Sequence, residues 1–170
     1  YAAGLVFLPT DVKERKFCKD VFAKFIRQER QELLGWRKVP VCDSDIGRTA
    51  KETQPVIEQV FIKAGHSAGG SLYFERKLYL IRKQVENAVN KSKLKHSSAF
   101  YITNLSSRTL AYKGLLMAGQ LESYFPDLQE KSLKSAICLA HSRYSTNTFP
   151  TWDLAQPFRF LAHNGEINTL

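Results

Sequence analysis

The sequence predicts an α+β domain, because strand-like apolar runs and two amphipathic helical stretches follow one another in the order β, α, β, β, α, β, β, β, β. The helical stretches are long enough to cover a sheet, and no internal repeat interrupts them. With 170 residues and 44% apolar content, the chain has the material for one domain with a buried core. Its composition is neither low-complexity nor disordered.

Tyr1 to Leu8 (YAAGLVFL) is a short apolar run closed by Pro9, the pattern of a buried strand. Thr10 and Asp11 supply helix-start chemistry, and Glu14 stands in capping-box register with Asp11. Phe17, Cys18, Val21, Phe22, Phe25 and Ile26 then recur at helical spacing on one face. Gly35 marks the expected helix stop, and Trp36 to Val41 reads as a strand whose Pro40 puts it near an edge or its end.

Asp43, Ser44, Asp45 and Gly47 read as a turn before a short helix around Thr49. The two carboxylates have no third metal ligand in register, so side-chain turn bonds are the reading taken. Val56 to Ile62 is β-rich and expected as a strand, and Ala64 to Ser71 as a loop in which His66 is an ordinary loop residue. The Gly69-Gly70 pair there lacks the spacing of a phosphate-binding loop. Phe74 to Val89 carries Leu78, Ile81, Val85 and Val89 on one stripe and is the second helix. A Lys/Ser-rich link at 91–98 precedes a hairpin with arms Ala99 to Leu105 and Thr109 to Leu116. Leu121 to Leu128 holds one helical turn before Pro126, and Ala136 to Ala140 reads as the strand that delivers His141 and Arg143.

A net charge of +9 would ordinarily raise nucleic-acid binding. The basic residues are dispersed, with one concentration at Lys91, Lys93, Lys95 and His96, and no RNA-binding aromatic motif or zinc-finger spacing accompanies them. They are read as solvated faces, and nucleic acid is set aside as a partner. No apolar run approaches the roughly twenty residues of a membrane span, and no signal-peptide pattern opens the chain. Cys18, Cys42 and Cys138 are odd in number and lack C-x-x-C spacing, which fits a reducing compartment and no metal site.

The chemistry concentrates at the end, in HSRYSTNTFPTWDLAQPFRFLAHNGEINTL from His141 to Leu170. Arg143 has the planar fork that holds a carboxylate in two parallel hydrogen bonds. It is followed by Ser145, Thr146, Asn147 and Thr148. The apolar run Phe158 to Ala162 empties into His163, Asn164, Gly165 and Glu166, a tight turn that can aim a side-chain amide and a backbone N–H at one point. Two such uncharged donors are what an oxyanion hole requires. Taken singly, Asn164-Gly165 reads first as an ordinary hairpin turn and Arg143 as a surface salt bridge; the whole string, rather than either element, points to the site.

The whole string from Arg143 to Leu170 resembles the end of the class II glutamine amidotransferase domain of glutamate synthase large subunits, an N-terminal-nucleophile hydrolase family. LLGWRKVPV, PVIEQVFI, FYITNLSSRTLAYKGLL and FPDL resemble the same family, so the likeness covers nearly the whole chain. Ser142 and Tyr144 depart from the Gln and Phe commoner in its pattern. The resemblance implies a four-layer αββα sandwich of the Ntn-hydrolase type, incomplete in this fragment, with residues 1–170 forming part of one amidotransferase domain.

The same resemblance implies hydrolysis of L-glutamine to glutamate and ammonia. The ammonia passes to a synthase domain of the same polypeptide for reductive amination of 2-oxoglutarate, in glutamate biosynthesis and ammonia assimilation. The implied nucleophile is the thiol of an N-terminal Cys with its own α-amine as base. No cysteine here matches it, so it is expected before Tyr1, and the fragment alone is expected to be inactive. Asn164 (side-chain amide) and Gly165 (backbone N–H) match the oxyanion hole, Arg143 the clamp on the glutamine α-carboxylate, and Thr146 and Asn147 neighbouring pocket contacts. The Asp for the substrate α-amine is expected beyond Leu170.

FMN and a 3Fe-4S cluster are implied for the parent enzyme and no cofactor for this fragment. A small NAD(P)H-oxidising subunit or ferredoxin is the implied redox partner, and the location is bacterial cytoplasm or, alternatively, plastid. Cys138, His141 and His163 could be drawn as a zinc set or a Cys–His couple, but a fourth ligand is missing, and packing or turn-fixing roles are the reading taken. Trp152 is expected as a structural plug, and Asp153 and Glu166 as loop and turn anchors. The contrasting reading is a non-catalytic interaction or regulatory module that kept the scaffold.

Overall fold

The computed structural model describes residues 1–65, 70–144 and 149–158, which fall into two compact units. The first comprises Tyr1–Lys38 and Pro55–Ala111; the second comprises Val39–Gln54 and the described residues from Tyr112 on.

The first unit is an antiparallel sheet of four strands with two helices on one face. Its strands are β1 (Ala2–Leu8), β2 (Glu32–Lys38), β3 (Val56–Lys63) and β4 (Tyr101–Ile102), in the order β2-β3-β1-β4. β1 runs through the centre, pairing with β3 from Ala2↔Ile62 to Leu8↔Val56 and with β4 at Val6↔Ile102. Alternation sends Ala2, Val6 and Leu8 to the helical face, where they join Val60, Ile62 and Ile102. Helix α1 (Val12–Gln28) buries Cys18, Phe22 and Ile26 there, and α3 (Gly70–Asn90) buries Phe74, Leu78, Ile81, Val85 and Val89. Both sets follow helical spacing, as the sequence pattern requires. Phe22 sits edge-on to Trp36 at 5.1 Å between centroids, and Lys19 crosses the same indole to reach Glu58.

All seven residues of β1 are buried, on both faces of the sheet. No second sheet occurs among the described residues, so the α+β class holds while the expected four-layer sandwich is not seen in them. Among the described residues no helix is long and apolar enough to cross a membrane.

Several expectations are corrected by the structure. α1 ends at Gln28 rather than beside Gly35. Arg30 takes the left-handed conformation, with φ of 59°, its N–H donates to Arg27 and the Gln31 N–H reaches back to Ile26. That is a Schellman closure with arginine where glycine is usual. Gly65 lies against the Arg30 carbonyl without room for a Cβ, and its N–H donates to the Gln31 side chain at 3.0 Å. Gly35 instead sits in β2 at a bulge, with φ of 150°, and the strand starts at Glu32 and stops before Pro40.

The capping box at Asp11 is half made. Asp11 accepts from the Lys13 and Glu14 N–H groups, but the Glu14 carboxylate is drawn away to the Lys95 and His96 N–H groups, 2.8 and 3.2 Å off. The expected hairpin does not form either. Asn104 Oδ1 accepts from Leu5 N–H and its Nδ2 donates to Thr109 C=O, occupying groups that a ladder would use. Gly4 faces the Asn104 carbonyl and Leu105 so closely that a Cβ would lie 2.6 and 2.8 Å from them. β4 is therefore two residues long, followed by a single bridge between Ala3 and Ser106.

α1 and α3 are joined by charge as well as by packing. Glu29 accepts from Lys77 Nζ and from Gln84 Nε2, each at 2.8 Å. The Lys77 hydrogen bond holds the Glu29 carboxyl below its ordinary value, against the opposing effect of burial.

Two predictions follow from these joints. Arg30→Gly removes a left-handed residue whose side chain contacts nothing essential; relief of roughly 1–2 kcal/mol, less the entropy of an added glycine, leaves about 0.5–1 kcal/mol of gain in urea unfolding. A carboxyl depressed by folding stabilises above its unfolded pKa and loses that contribution as pH falls through it. Stability contributed by Glu29 is therefore complete above about pH 4.5 and declines below, and Glu29→Gln flattens this acid limb in a pH series of unfolding midpoints.

Candidate functional site

The second unit surrounds an aromatic cluster. Tyr124 and Phe125 are fully buried, with rings perpendicular at 4.7 Å between centroids, and Tyr112 packs edge-on to Phe125 at 5.1 Å. Tyr124 lies at the end of α4 (Leu121–Tyr124), after which Pro126 opens a 3₁₀ turn to Gln129. Gln54 Nε2 donates to the Tyr124 hydroxyl, and Tyr124 C=O accepts from Cys42 N–H, both at 2.9 Å. Burial pushes the Tyr124 phenol up, so the ring stays neutral in the core.

Trp152 completes the cluster, 5.7 Å from Tyr124 between centroids and 5% exposed. Its indole N–H donates to the Ala50 carbonyl at 3.1 Å. Ala50 belongs to the short helix α2 (Arg48–Glu52), where Thr53 N–H goes to Thr49 and Gln54 N–H to Lys51. The Ala50 carbonyl is thereby left for the tryptophan. On its other side the indole covers Gly114, and a Cβ there would fall 2.6 Å from Trp152 Cζ3. The expectation of a structural plug is met in these contacts.

The same segment is tied down by a lysine that no sequence motif singles out. Lys113 is 2% exposed, and its ammonium donates to the carbonyls of Asp153 and Ala155, each at 2.8 Å. It also lies 4.6 Å from the Phe158 ring centroid. A buried ammonium is tolerated only when partnered, and these groups partner it. The available signal was a lone lysine inside the otherwise apolar run TLAYKGLL. Thr151 Oγ1 donates to Asp153 Oδ1 at 2.6 Å, so Asp153 acts as the expected loop anchor.

Arg143 emerges beside this framework. It is exposed, and among the described residues its guanidinium meets no carboxylate, which excludes the surface salt bridge within them. Its backbone is nevertheless held. The Arg143 N–H donates to His141 Nδ1 at 3.3 Å, so this imidazole fixes a turn. The neighbouring Tyr144 hydroxyl donates to Gly114 C=O at 2.8 Å, with Thr151 C=O a longer second acceptor at 3.3 Å. Burial, then the Asp153 carboxylate, pushes the Tyr144 phenol up and keeps its proton available for donation.

Ala136 to Ala140, expected as the strand carrying His141 and Arg143, is not one. Residues 131–140 are exposed, with Ile137 at 85%, and they enter no ladder among the described residues. A local bond from Ser135 Oγ to Ile137 C=O, 2.6 Å long, takes up a backbone acceptor instead. Thr146, Asn147, His163, Asn164, Gly165 and Glu166 lie outside the described residues, as does His66. Among the described residues no three His, Cys, Asp or Glu side chains gather into a metal-holding group. Cys18 is buried under α1, where loss of solvation pushes its thiol up to about 12, while Cys42 and Cys138 are free and exposed.

A family model described as glutamine amidotransferases class-II matches residues 1–170. The chain is 48% identical over its whole length to the glutamate synthase [NADPH] large chain of Bacillus subtilis (strain 168), of which it covers 11%. It is 46% identical over 98% of its length to the chloroplastic ferredoxin-dependent glutamate synthase of Oryza sativa subsp. japonica, covering 10% of that protein. The glutamate synthase [NADPH] large chain of Azospirillum brasilense is 44% identical over 99% of the chain. The chain thus spans about a tenth of the length of the curated relatives it matches.

The Gly114–Trp152 contact sets a further expectation. Gly114→Ala pushes a methyl group into the indole and lowers stability by about 1–3 kcal/mol, with Trp152 emission shifting to the red as the ring is displaced toward water; thermal unfolding and fluorescence read both.

Proposed function

The chain belongs to the class-II glutamine amidotransferases, and from that membership we propose that it is the glutaminase part of a glutamate synthase large chain. The observation that carries the reading is the match of the family over all 170 residues, together with relatives at 42–48% identity that are named as glutamate synthases. We place the sheet and helices of the first unit as half of a four-layer αββα sandwich. The burial of β1 on both faces supports this, since a strand in the middle layers needs cover on each side.

In the proposed reaction the Arg143 fork binds the α-carboxylate of L-glutamine through two parallel hydrogen bonds. Thr146 and Asn147 contribute neighbouring pocket contacts. The thiol of an upstream N-terminal cysteine attacks the side-chain amide carbon, its own α-amine taking the proton. The amide oxygen gains negative charge in the tetrahedral intermediate and is received by the Asn164 side-chain amide and the Gly165 N–H. Expulsion of ammonia leaves a thioester, which water hydrolyses to glutamate. Ammonia then serves the reductive amination of 2-oxoglutarate in the synthase domain of the same polypeptide.

FMN and a 3Fe-4S cluster are proposed for other parts of that polypeptide. The described residues do not fit an iron–sulfur cluster, since Cys18 is in the core and no three ligands converge. The relatives' names divide between NADPH and ferredoxin, and either is the proposed electron donor, with bacterial cytoplasm or, alternatively, plastid as the proposed compartment.

The test uses the parent enzyme, processed to its N-terminal cysteine, with glutamate release measured from glutamine. Asn164→Ala is expected to lower kcat by about a hundred- to a thousandfold, as loss of one oxyanion donor does elsewhere. Arg143→Ala is expected to act mainly on KM, because its contact to the α-carboxylate is the same in ground and transition states. A processed enzyme with a native fold and no glutamate release would instead mark a non-catalytic module.

A further inference from the structure

Arg143 is exposed and its guanidinium has no carboxylate partner among the described residues, whereas the residue that follows it is anchored by a side-chain hydroxyl. We propose that Tyr144 is a positioning residue, whose hydroxyl fixes Arg143 for the substrate carboxylate and thereby sets glutamine affinity rather than turnover. The inference rests on the glutaminase reading above.

A phenol has one proton, and here it is directed at Gly114 C=O, 2.8 Å away, with Thr151 C=O behind it at 3.3 Å. Both acceptors belong to residues that are themselves immobilised. Gly114 lies under the Trp152 ring, and Lys113 before it donates to Asp153 and Ala155. Thr151 precedes Trp152, whose N–H is bonded to Ala50, and bonds to Asp153 through its own hydroxyl. The hydroxyl therefore connects the arginine-bearing backbone to two segments that are themselves tied by the Trp152, Lys113 and Thr151 bonds.

The second tie on the same backbone, from Arg143 N–H to His141 Nδ1, is longer at 3.3 Å, so the phenol is the firmer of the two. A long side chain bound to a carboxylate loses rotamer freedom, and a fixed backbone reduces what remains to be ordered when ligand arrives. The acyl centre of glutamine lies at the other end of the ligand from the carboxylate. Loosening Arg143 therefore weakens binding of ground state and transition state alike, which appears in KM and leaves kcat in place.

Tyr144→Phe in the parent enzyme removes the hydroxyl and keeps the ring. KM for glutamine is expected to rise about three- to tenfold, the worth of one neutral hydrogen bond, with kcat within about twofold of the unaltered enzyme. In an Arg143→Ala background the same change should have no further effect on KM, because the hydroxyl acts only through the arginine. An unmoved KM, an equal fall in kcat, or the same proportional loss with and without Arg143 would overturn the proposal. So would failure of the Tyr144→Phe enzyme to fold, which would make the hydroxyl a support of the unit at large. If the unaltered enzyme releases no glutamate, the glutaminase reading falls and takes this inference with it; an active enzyme whose KM ignores Tyr144 overturns the inference alone.

Discussion

The second unit depends on the absence of a side chain at Gly114. The Trp152 indole lies where a Cβ would be 2.6 Å from its ring, and from that seat it reaches the Ala50 carbonyl and the Tyr124 ring. The contact brings together three stretches far apart in sequence: α2, the segment around residue 114, and the loop at 149–158. Lys113 and Tyr144 then use the carbonyls that this packing has brought into reach. A large aromatic ring supplies the apolar burial, while its N–H and the neighbouring carbonyls satisfy the polar groups buried with it.

The first unit solves a different problem, the closure of helices over a sheet without irregular gaps. β3 is paired along most of its length on both sides, with β1 and with β2, and β1 is paired fully with β3 and briefly with β4, so both helices pack on the face that β1 and β3 share. α1 is turned back into β2 by a left-handed arginine rather than a glycine, and the close approach there is made by Gly65 on the other side of the turn. The glycine that matters thus lies 34 residues beyond Gln31 in sequence, against the bend it permits. Glu29, at the helix end, binds Lys77 and Gln84 of α3 and joins the two helices where the chain reverses.

The misread elements share a cause. Thr109 to Leu116 and Ala136 to Ala140 are apolar enough to be strands, but a strand exists only when a neighbour offers its ladder. Asn104 has already taken the Leu5 N–H and the Thr109 carbonyl, and the run around Ile137 pairs with nothing among the described residues. Glu14 shows the same competition at a helix start, where backbone groups of residues 95 and 96, remote in sequence, outbid the local capping box. Of the candidate site, Arg143 was readable as a guanidinium amid small polar residues, and Trp152 as a plug beside a proline-marked turn. Lys113 and Tyr144 were not, because a lysine in an apolar run or a tyrosine after an arginine carries no sign of which distant carbonyls it will meet.

The amino-acid sequence by itself determined the α+β class, the two helices, the central strands and the membership of an amidotransferase family, since these follow from local periodicity and from a string of residues too specific to arise by chance. Only the tertiary structure decided that Gly65 and not Gly35 serves the turn after α1, that Lys113 is a buried cross-link, and that Arg143 stands beside a hydroxyl anchored across thirty residues. The physical reason is that periodicity reports which face of an element meets a core. Hydrogen bonds to backbone carbonyls depend instead on which segments the core has brought within 3 Å of one another, and that is known only after the chain has folded.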